Sequence, residues 1–399
     1  MASPARRILP HLESTPPPCQ PPALPNELLE EILLRASPTT LARASVACST
    51  FRRLVADRSF LRRYRSIHPP LLLGFHDGDF RPTEPPHPCA VAGRAFALAA
   101  DFNFDGYVPR DGWFGWATSD VRDGRVLLRY GPWPKKDGSV SIFPDLAVCD
   151  PVFRRYRLLP PIPDALHASV QVHEKSVKCF DAFIVPSGDD EEDTMFRVMG
   201  AVQCLEKLAV FIYSSSTGSW NVAASTTWEA LSLTVPQQGH VLGYGPSYFA
   251  YGCFYKKVFE KNKLLKFDVS TTEFSTVDLP PRHDNMKIVV VEAGQGRLGV
   301  FSQINAQMIR YSIRQNEGQK SREWKMVSII PLPKDHLSCI VGALRGYIFL
   351  SGQERRNATA KACFSMEIKT LKIERVGWMM GFHVFPYFGY PPSMSPRSI

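Results

Sequence analysis

From Leu24 the apolar residues recur at helical spacing. Leu28, Leu29, Ile32 and Leu33 follow Leu24-Pro25-Asn26-Glu27, which predicts a short helix with one apolar face. Pro25 suits the first helical position, and Glu27, Glu30 and Glu31 stand near the positive end of the helix dipole. Ser37-Pro38 repeats the start signal. Leu41, Ala44, Ser45 and Cys48 then share one stripe of a second helix, with Val46 beside it. Ser49 is placed to cap a third helix carrying Phe51, Leu54 and Val55, and Ser59 a fourth carrying Phe60, Leu61 and Tyr64. Leu33 and Leu54 are expected inside this small bundle. From about residue 70 the period changes. Short apolar runs such as Leu71-Leu72-Leu73-Gly74-Phe75 and Arg125 to Tyr130, each ended by Gly, Pro, Asp or Ser, read as strands and turns.

The strand-rich part contains a loose repeat: a strand, a polar turn, an aromatic-bearing strand and then often Leu-Pro. Asp150 to Tyr156 leads to Leu159-Pro160-Pro161; Tyr213 to Trp220 repeats the hairpin; Asp268 to Phe274 leads to Leu279-Pro280-Pro281. Tyr311-Ser312-Ile313 runs through a longer loop to Trp324, and Met366 to Lys372 is a degenerate fifth copy. The spacing brackets the ~50-residue period of kelch-type propeller blades, so the roughly 320 residues involved would hold about six. Asp and Ser/Thr side chains favour such tight turns by bonding nearby backbone groups. A four-stranded sheet cannot bury both its faces alone, so blades stack radially and close. A two-sheet sandwich is the alternative, and residues 90–123 resist parsing. The expected fold class is α+β multidomain: a small all-α module of three to four short helices, then an all-β propeller-like domain of about six blades.

Composition sharpens this picture in three places. The chain has 399 residues and 34 prolines, and proline cannot sit inside central strands or helices. It therefore marks many short elements. Residues 1–23, with Pro16-Pro17-Pro18 and Pro21-Pro22, read as a disordered tail. Of the net charge of +9, +5 falls in residues 1–65. Nucleic-acid contact is one reading, but no aromatic or Gly-rich nucleic-acid motif accompanies the charge, so a solvated helical face is preferred and no nucleic-acid partner is expected. Nine cysteines with no C-x-x-C pair fit neither a zinc module nor a disulfide framework, and a reduced compartment, cytoplasmic or nuclear, is expected. Neither a secretory signal nor a run of ~18 apolar residues is found, so no membrane association is expected.

A helical module of about 42 residues is too small for a generous core, and without staples a partner protein is its natural completion. Leu24-Pro25-x-Glu27-Leu28-Leu29-x-x-Ile32-Leu33 followed by Leu41-x-Arg43-x-x-Val46-x-Cys48-x-x-Phe51-Arg52-x-Leu54 resembles an F-box. The resemblance departs at Phe51, where the family often has Trp, and at Ser49, where it often has a basic residue. It implies docking on a Skp-type adaptor and, through it, a cullin–RING ubiquitin ligase, with Leu24, Pro25, Leu28, Ile32, Leu41, Val46 and Cys48 forming or supporting the adaptor-facing surface. Residues 70–394 resemble the F-box-associated β-propeller domains of plant F-box proteins, especially those of grasses. The residues that carry this are Val148-Cys149-Asp150-Pro151, Lys266-Phe267-Asp268-Val269-Ser270 and the ending Phe385 to Met394. The implied organisation is a tail (1–23), an F-box (24–66), a substrate-binding β domain (67–394) and a short tail (395–399).

Other motifs do not lead to chemistry. Gly294-x-Gly296-x-x-Gly299 matches a dinucleotide fingerprint on paper, but Val300-Phe301-Ser302 reads as a strand where a helix N-terminus is required, so a hairpin turn is expected. The acidic run Asp189 to Asp193 lacks the spacing of a calcium loop and reads as a solvated loop. His87-Pro88-Cys89 has no second pair, so no metal or cofactor is expected. Trp113-Phe114-Gly115-Trp116 pits blade packing against a target-binding role for Trp113, Phe114 and Trp116, since Trp is enriched at binding hot spots. The aromatic tail Phe385 to Tyr390 is expected to close the ring. The leading expectation is a non-catalytic substrate receptor of an SCF-type (Skp–cullin–F-box) ubiquitin ligase that binds a protein target. The alternatives are an interaction propeller with a degenerate F-box, an enzyme or small-molecule sensor, and a nucleic-acid binder.

Overall fold

The structure is a computed structural model. It describes residues 24–109, 115–131, 142–186, 194–235, 241–243, 245–314, 323–354, 361–379, 384–391, 395 and 399. The chain divides at His68/Pro69 into two compact units.

The first unit is four short helices, α1 (Asn26–Leu34), α2 (Pro38–Ala47), α3 (Ser49–Val55) and α4 (Arg58–Ile67). Local chemistry sets their ends. Ser37 accepts the Thr40 amide at 3.3 Å, with Pro38 in the first turn of α2. Two expected caps shift by a residue or two. Pro25 precedes α1 rather than opening it, and Ser49 is the first residue of α3, behind Cys48. At α4 the cap is Asp57, whose carboxylate accepts the Ser59 and Phe60 amides at 2.8 and 3.1 Å. A carboxylate at a helix N-terminus is a stronger acceptor than a hydroxyl. The interior is Leu33 and Leu34, Leu41, Leu54 and Val55, and Phe60, Leu61 and Tyr64. Tyr64 stacks on His68 at 4.2 Å and its hydroxyl donates to the Ala36 carbonyl at 2.7 Å.

The second unit is a six-bladed β-propeller. It opens with β1 (Leu71–His76), β2 (Phe80–Pro82) and a helix, α5 (Ala90–Ala99). Blade 1 is β3 (Ala117–Arg122), β4 (Arg125–Tyr130), β5 (Asp145–Asp150) and β6 (Arg155–Leu158). Helix α6 (Asp164–Ser169) leads to blade 2: β7 (Val177–Val185), β8 (Arg197–Cys204), β9 (Lys207–Ser214) and β10 (Ser219–Thr227). Blade 3 is β11 (Tyr248–Ala250), β12 (Cys253–Lys257), β13 (Lys263–Asp268) and β14 (Glu273–Asp278). Blade 4 is β15 (Ile288–Glu292), β16 (Leu298–Asn305), β17 (Met308–Arg314) and β18 (Trp324–Pro331). Blade 5 is β19 (His336–Leu344), β20 (Tyr347–Glu354), β21 (Lys361–Glu367) and β22 (Ile373–Met379). The last strand, β23 (Phe385–Gly389), pairs antiparallel with β1, giving a sixth sheet of order β2-β1-β23. Six separate sheets exclude the sandwich. The first strands of the blades neighbour one another around an axis, with β23 beside β3, so the C-terminal strand completes the ring.

Every copy of the sequence repeat falls on the hairpin between a blade's third and fourth strands. Asp150 accepts the Val152 and Phe153 amides at 3.0 and 3.2 Å, and Asp268 accepts those of Ser270 and Thr271 at 3.0 and 3.2 Å. The Asp268 carboxyl is held down to about 2, first by the Ser270 hydroxyl. Trp220 packs on Tyr213 at 5.5 Å and donates its indole N–H to Pro160. The glycine motif lies in the β15–β16 connection, with Gly294 and Gly296 at φ 80° and 68°, so it is a hairpin as expected. Residues 90–123 proved hard to read because they hold a helix inside a β domain. Helix α5 lies against β1 and β2. Buried apolar side chains fill the spaces between blades, for example Val148, Val198 and Phe211, or Val290, Phe301 and Ile348.

Candidate docking surfaces

In the helical unit, α1 has two apolar faces rather than the single expected one. Leu33 and Leu34 turn inward and are buried, while Leu24, Leu28 and Ile32 are 51, 51 and 57% exposed. Leu28 and Ile32 are spaced i, i+4 and share one face of α1, while Leu24 lies two residues ahead of the helix. Glu30 and Glu31, nearby, pair with Arg63 of α4 at 3.5 and 2.8 Å. Pro25 is exposed. Leu41 is fully buried, so it can support a docking surface only from within. Cys48 is half-buried at the α2–α3 junction. The amides of Phe51 and then Thr50 hold its thiol below the usual cysteine value. The side chain of Val46 lies outside the described residues.

In the propeller, a cavity of about 750 Å³ opens at the end where the first two strands of each blade turn back. The turns of blades 1 to 5 line it, together with Pro69 and Pro70 just ahead of β1. Three of the turns are two-residue hairpins with both central residues at positive φ: Asp123-Gly124 (53°, 77°), Tyr251-Gly252 (47°, 73°) and Arg345-Gly346 (49°, 80°). These are the I′-type turns that match strand twist, and they hold Asp123, Tyr251 and Arg345 on the rim. Arg345 pairs with Asp123, joining blades 5 and 1. The guanidinium of Arg122 lies 5.8 Å from the Phe249 ring. The Tyr251 amide donates to Glu292 at 2.8 Å, and its hydroxyl accepts the Gly294 amide at 3.0 Å. Below this braced rim the wall is apolar, with Val290, Val291, Leu344 and Ile368 among its residues. The volume and the apolar lining are those of a ligand-sized site.

The expected aromatic cluster is not at this cavity. Trp113 and Phe114 lie outside the described residues, as do Asp189 to Asp193. Trp116 stands just before β3, at the opposite end of that strand from the rim. Its amide donates to Asp105 and its indole N–H to the Val108 carbonyl, and the ring packs on Tyr130 at 5.7 Å. It is held as a packing residue. The rim residues carried a sequence signal of their own, the X-Gly pairs between short apolar runs, which the reading of the longer hairpins passed over. Among the described residues no group of three His, Cys, Asp or Glu side chains is placed to hold a metal ion, and no helix is long and apolar enough to cross a membrane.

Comparison with known proteins places the first unit. Residues 22–67 match the F-box-like family. The F-box-like domain thus coincides with the four-helix unit and its exposed apolar residues. An Arabidopsis thaliana protein named as a putative F-box protein is 23% identical over 262 residues, 64% of this chain and 61% of that protein's length. The match therefore spans about three fifths of that relative. Among solved structures, SapL1 lectin bound to α-methyl fucoside aligns with a TM-score of 0.38 at 10% identity, over 67% of this chain and 81% of the lectin. A fucose-specific lectin from Aleuria aurantia gives 0.35 at 12% over 67% and 78%. An oligogalacturonate lyase gives 0.36 at 11% over 67% and 65%. At these scores the likenesses carry no information on ligand or activity.

Proposed function

We propose that this protein is the substrate-recognition subunit of an SCF-type ubiquitin ligase. The F-box-like domain docks a Skp-type adaptor and through it a cullin–RING ligase, and the propeller holds a protein target for ubiquitination. The observation that carries this reading is the exposure of Leu24, Leu28 and Ile32, half or more open on a domain that matches the F-box-like family. Three large apolar side chains exposed on so small a bundle are a docking face in want of a partner. The receptor performs no chemistry of its own. It raises the effective concentration of the target beside the ubiquitin-charged enzyme. The braced cavity mouth is the end of the propeller best suited to the target. Cytoplasm and nucleus are the compartments where this assembly would work.

Co-purification of the full chain with a plant Skp-type adaptor, beside Leu28→Asp, tests the proposal. Leu28 is exposed in the free protein, so a charge there leaves the helices intact but puts an unpaired carboxylate into an apolar contact, costing several kcal/mol of binding. The parent is expected to capture the adaptor and the variant to lose it at unchanged circular dichroism. Equal capture by both, or by neither, overturns the adaptor-docking role.

A further inference from the structure

We propose that Lys287 and Cys339 are an oxidative cross-linking site, joined through one oxygen atom as a reversible N–O–S bridge that staples blade 4 to blade 5. Lys287 immediately precedes β15 and Cys339 lies on β19, the neighbouring first strands of the two blades. The Lys287 Nζ donates to the Cys339 Sγ at 2.9 Å, close enough for one bridging atom to fit between them with little movement of either backbone.

A single residue fixes this meeting. The backbone amide of Gln303, on β16, donates to the Lys287 carbonyl at 2.9 Å. Its side-chain Nε2 donates to the Ser338 carbonyl at 2.6 Å and its Oε1 accepts the Ile340 amide at 2.9 Å. Gln303 thus grips the backbone on both sides of Cys339 while holding Lys287, so nitrogen and sulfur stay in register across the blade interface. Lys287 is exposed and Cys339 half-buried, which admits a small oxidant. Cys363, by contrast, is buried, and burial pushes its thiol up to about 12. Thiol oxidation proceeds through the thiolate and needs access.

The chemistry requires a peroxide as oxidant and balances in two steps. The Cys339 thiol reacts with one hydrogen peroxide to give a sulfenic acid and water. The sulfenic acid and the neutral Lys287 amine are then oxidised by a second peroxide. The sulfenic O–H and one N–H bond break, an N–O bond forms and two waters leave. Sulfur and nitrogen each give up two electrons. Two equivalents of a dithiol reductant, each supplying two electrons and two protons, return the thiol, the amine and one water.

The full chain would be treated with hydrogen peroxide, digested with trypsin and mapped by mass spectrometry. Cys48, half-buried and far from any lysine in sequence, reports that the oxidant has acted. The expected result is one linked peptide pair containing Lys287 and Cys339, heavier than the two together by one oxygen less two hydrogens. Cleavage after Lys287 is lost, and dithiothreitol restores it. Lys287→Arg and Cys339→Ser each abolish the pair, and peroxide raises the melting temperature of the parent but of neither variant. Oxidation of Cys48 with Lys287 and Cys339 recovered only on separate peptides overturns the proposal. So does a linked pair that survives in Lys287→Arg.

Discussion

At the scale of single residues, buried polar side chains act as ties between blades, and their protonation makes the fold sensitive to acid. His283 is fully buried between blades 3 and 4. Its Nδ1 faces the Pro281 carbonyl at 3.0 Å and must donate there, so in the neutral ring Nε2 accepts from the Ser302 hydroxyl at 2.9 Å. Burial comes first among the influences that lower its pKa, with Arg310 and Lys257 adding to it against the Pro281 and Pro280 carbonyls. His76 and His87 are lowered for the same first reason. A folded-state value below the unfolded one means that stability is intact above the ordinary histidine value of about 6.5. It is lost as the pH falls through the folded value, because the unfolded chain takes up the proton first. Urea midpoints are therefore expected to drop between neutral and mildly acidic pH, and His283→Gln to drop less. An identical slope in parent and variant would remove His283 from this account.

At the scale of elements, the features legible in the sequence were those whose physics is local. The turns capped by Asp150 and Asp268, the Tyr213–Trp220 hairpin and the four helix segments each depend on residues a few positions apart, and each falls where the pattern placed it. The less legible features depend on distant partners. The inner and outer faces of α1 cannot be told apart by spacing alone, since Leu28 and Leu33 look equally apolar until α4 supplies an interior. Likewise Ser59 lost its capping role to Asp57 because both are competent and only one lies at the helix entry. Helix α5 was hidden by its composition, all Ala, Val, Gly, Arg, Phe and Leu with no capping side chain. It is placed by Gly93, where a Cβ would overlap the Leu73 carbonyl oxygen and the Thr83 hydroxyl. Helix propensity alone makes alanine the better residue by about 1 kcal/mol, whereas overpacking costs about 1–3 kcal/mol. The clash involves backbone and should win, so Gly93→Ala is expected to lower the melting temperature. A rise would show that α5 can lift off β1 and β2.

At the scale of the whole molecule, the repeat foretold a propeller of about six blades and the aromatic ending its closure, but not the partner strand, since the pairing joins residues more than 300 apart in sequence, such as Leu71 and Gly389. The expectation that the aromatic tail closes the ring holds: β23 pairs with β1, and Tyr387 donates its hydroxyl to the Gly124 carbonyl of blade 1 at 3.0 Å. We propose that residues 70–394 fold without the F-box-like domain and that the ring does not survive loss of its last strand. A chain ending at Met379 leaves β1 without β23 and strips cover from Leu72 and Phe75. It is expected to melt without cooperativity or to aggregate. A cooperative transition matching the parent would show that five blades suffice.

That same closure sets an order of events during translation. The four helices of the F-box-like domain precede the propeller in the chain. Strands β1 and β2 follow at once, yet the strand that completes their sheet is made only after all five blades. Until β23 emerges the nascent chain therefore displays an open sheet edge, and the ring can be sealed only after that strand is made. A frameshift or stop codon just ahead of β23 would then be as damaging as one in the middle of the propeller.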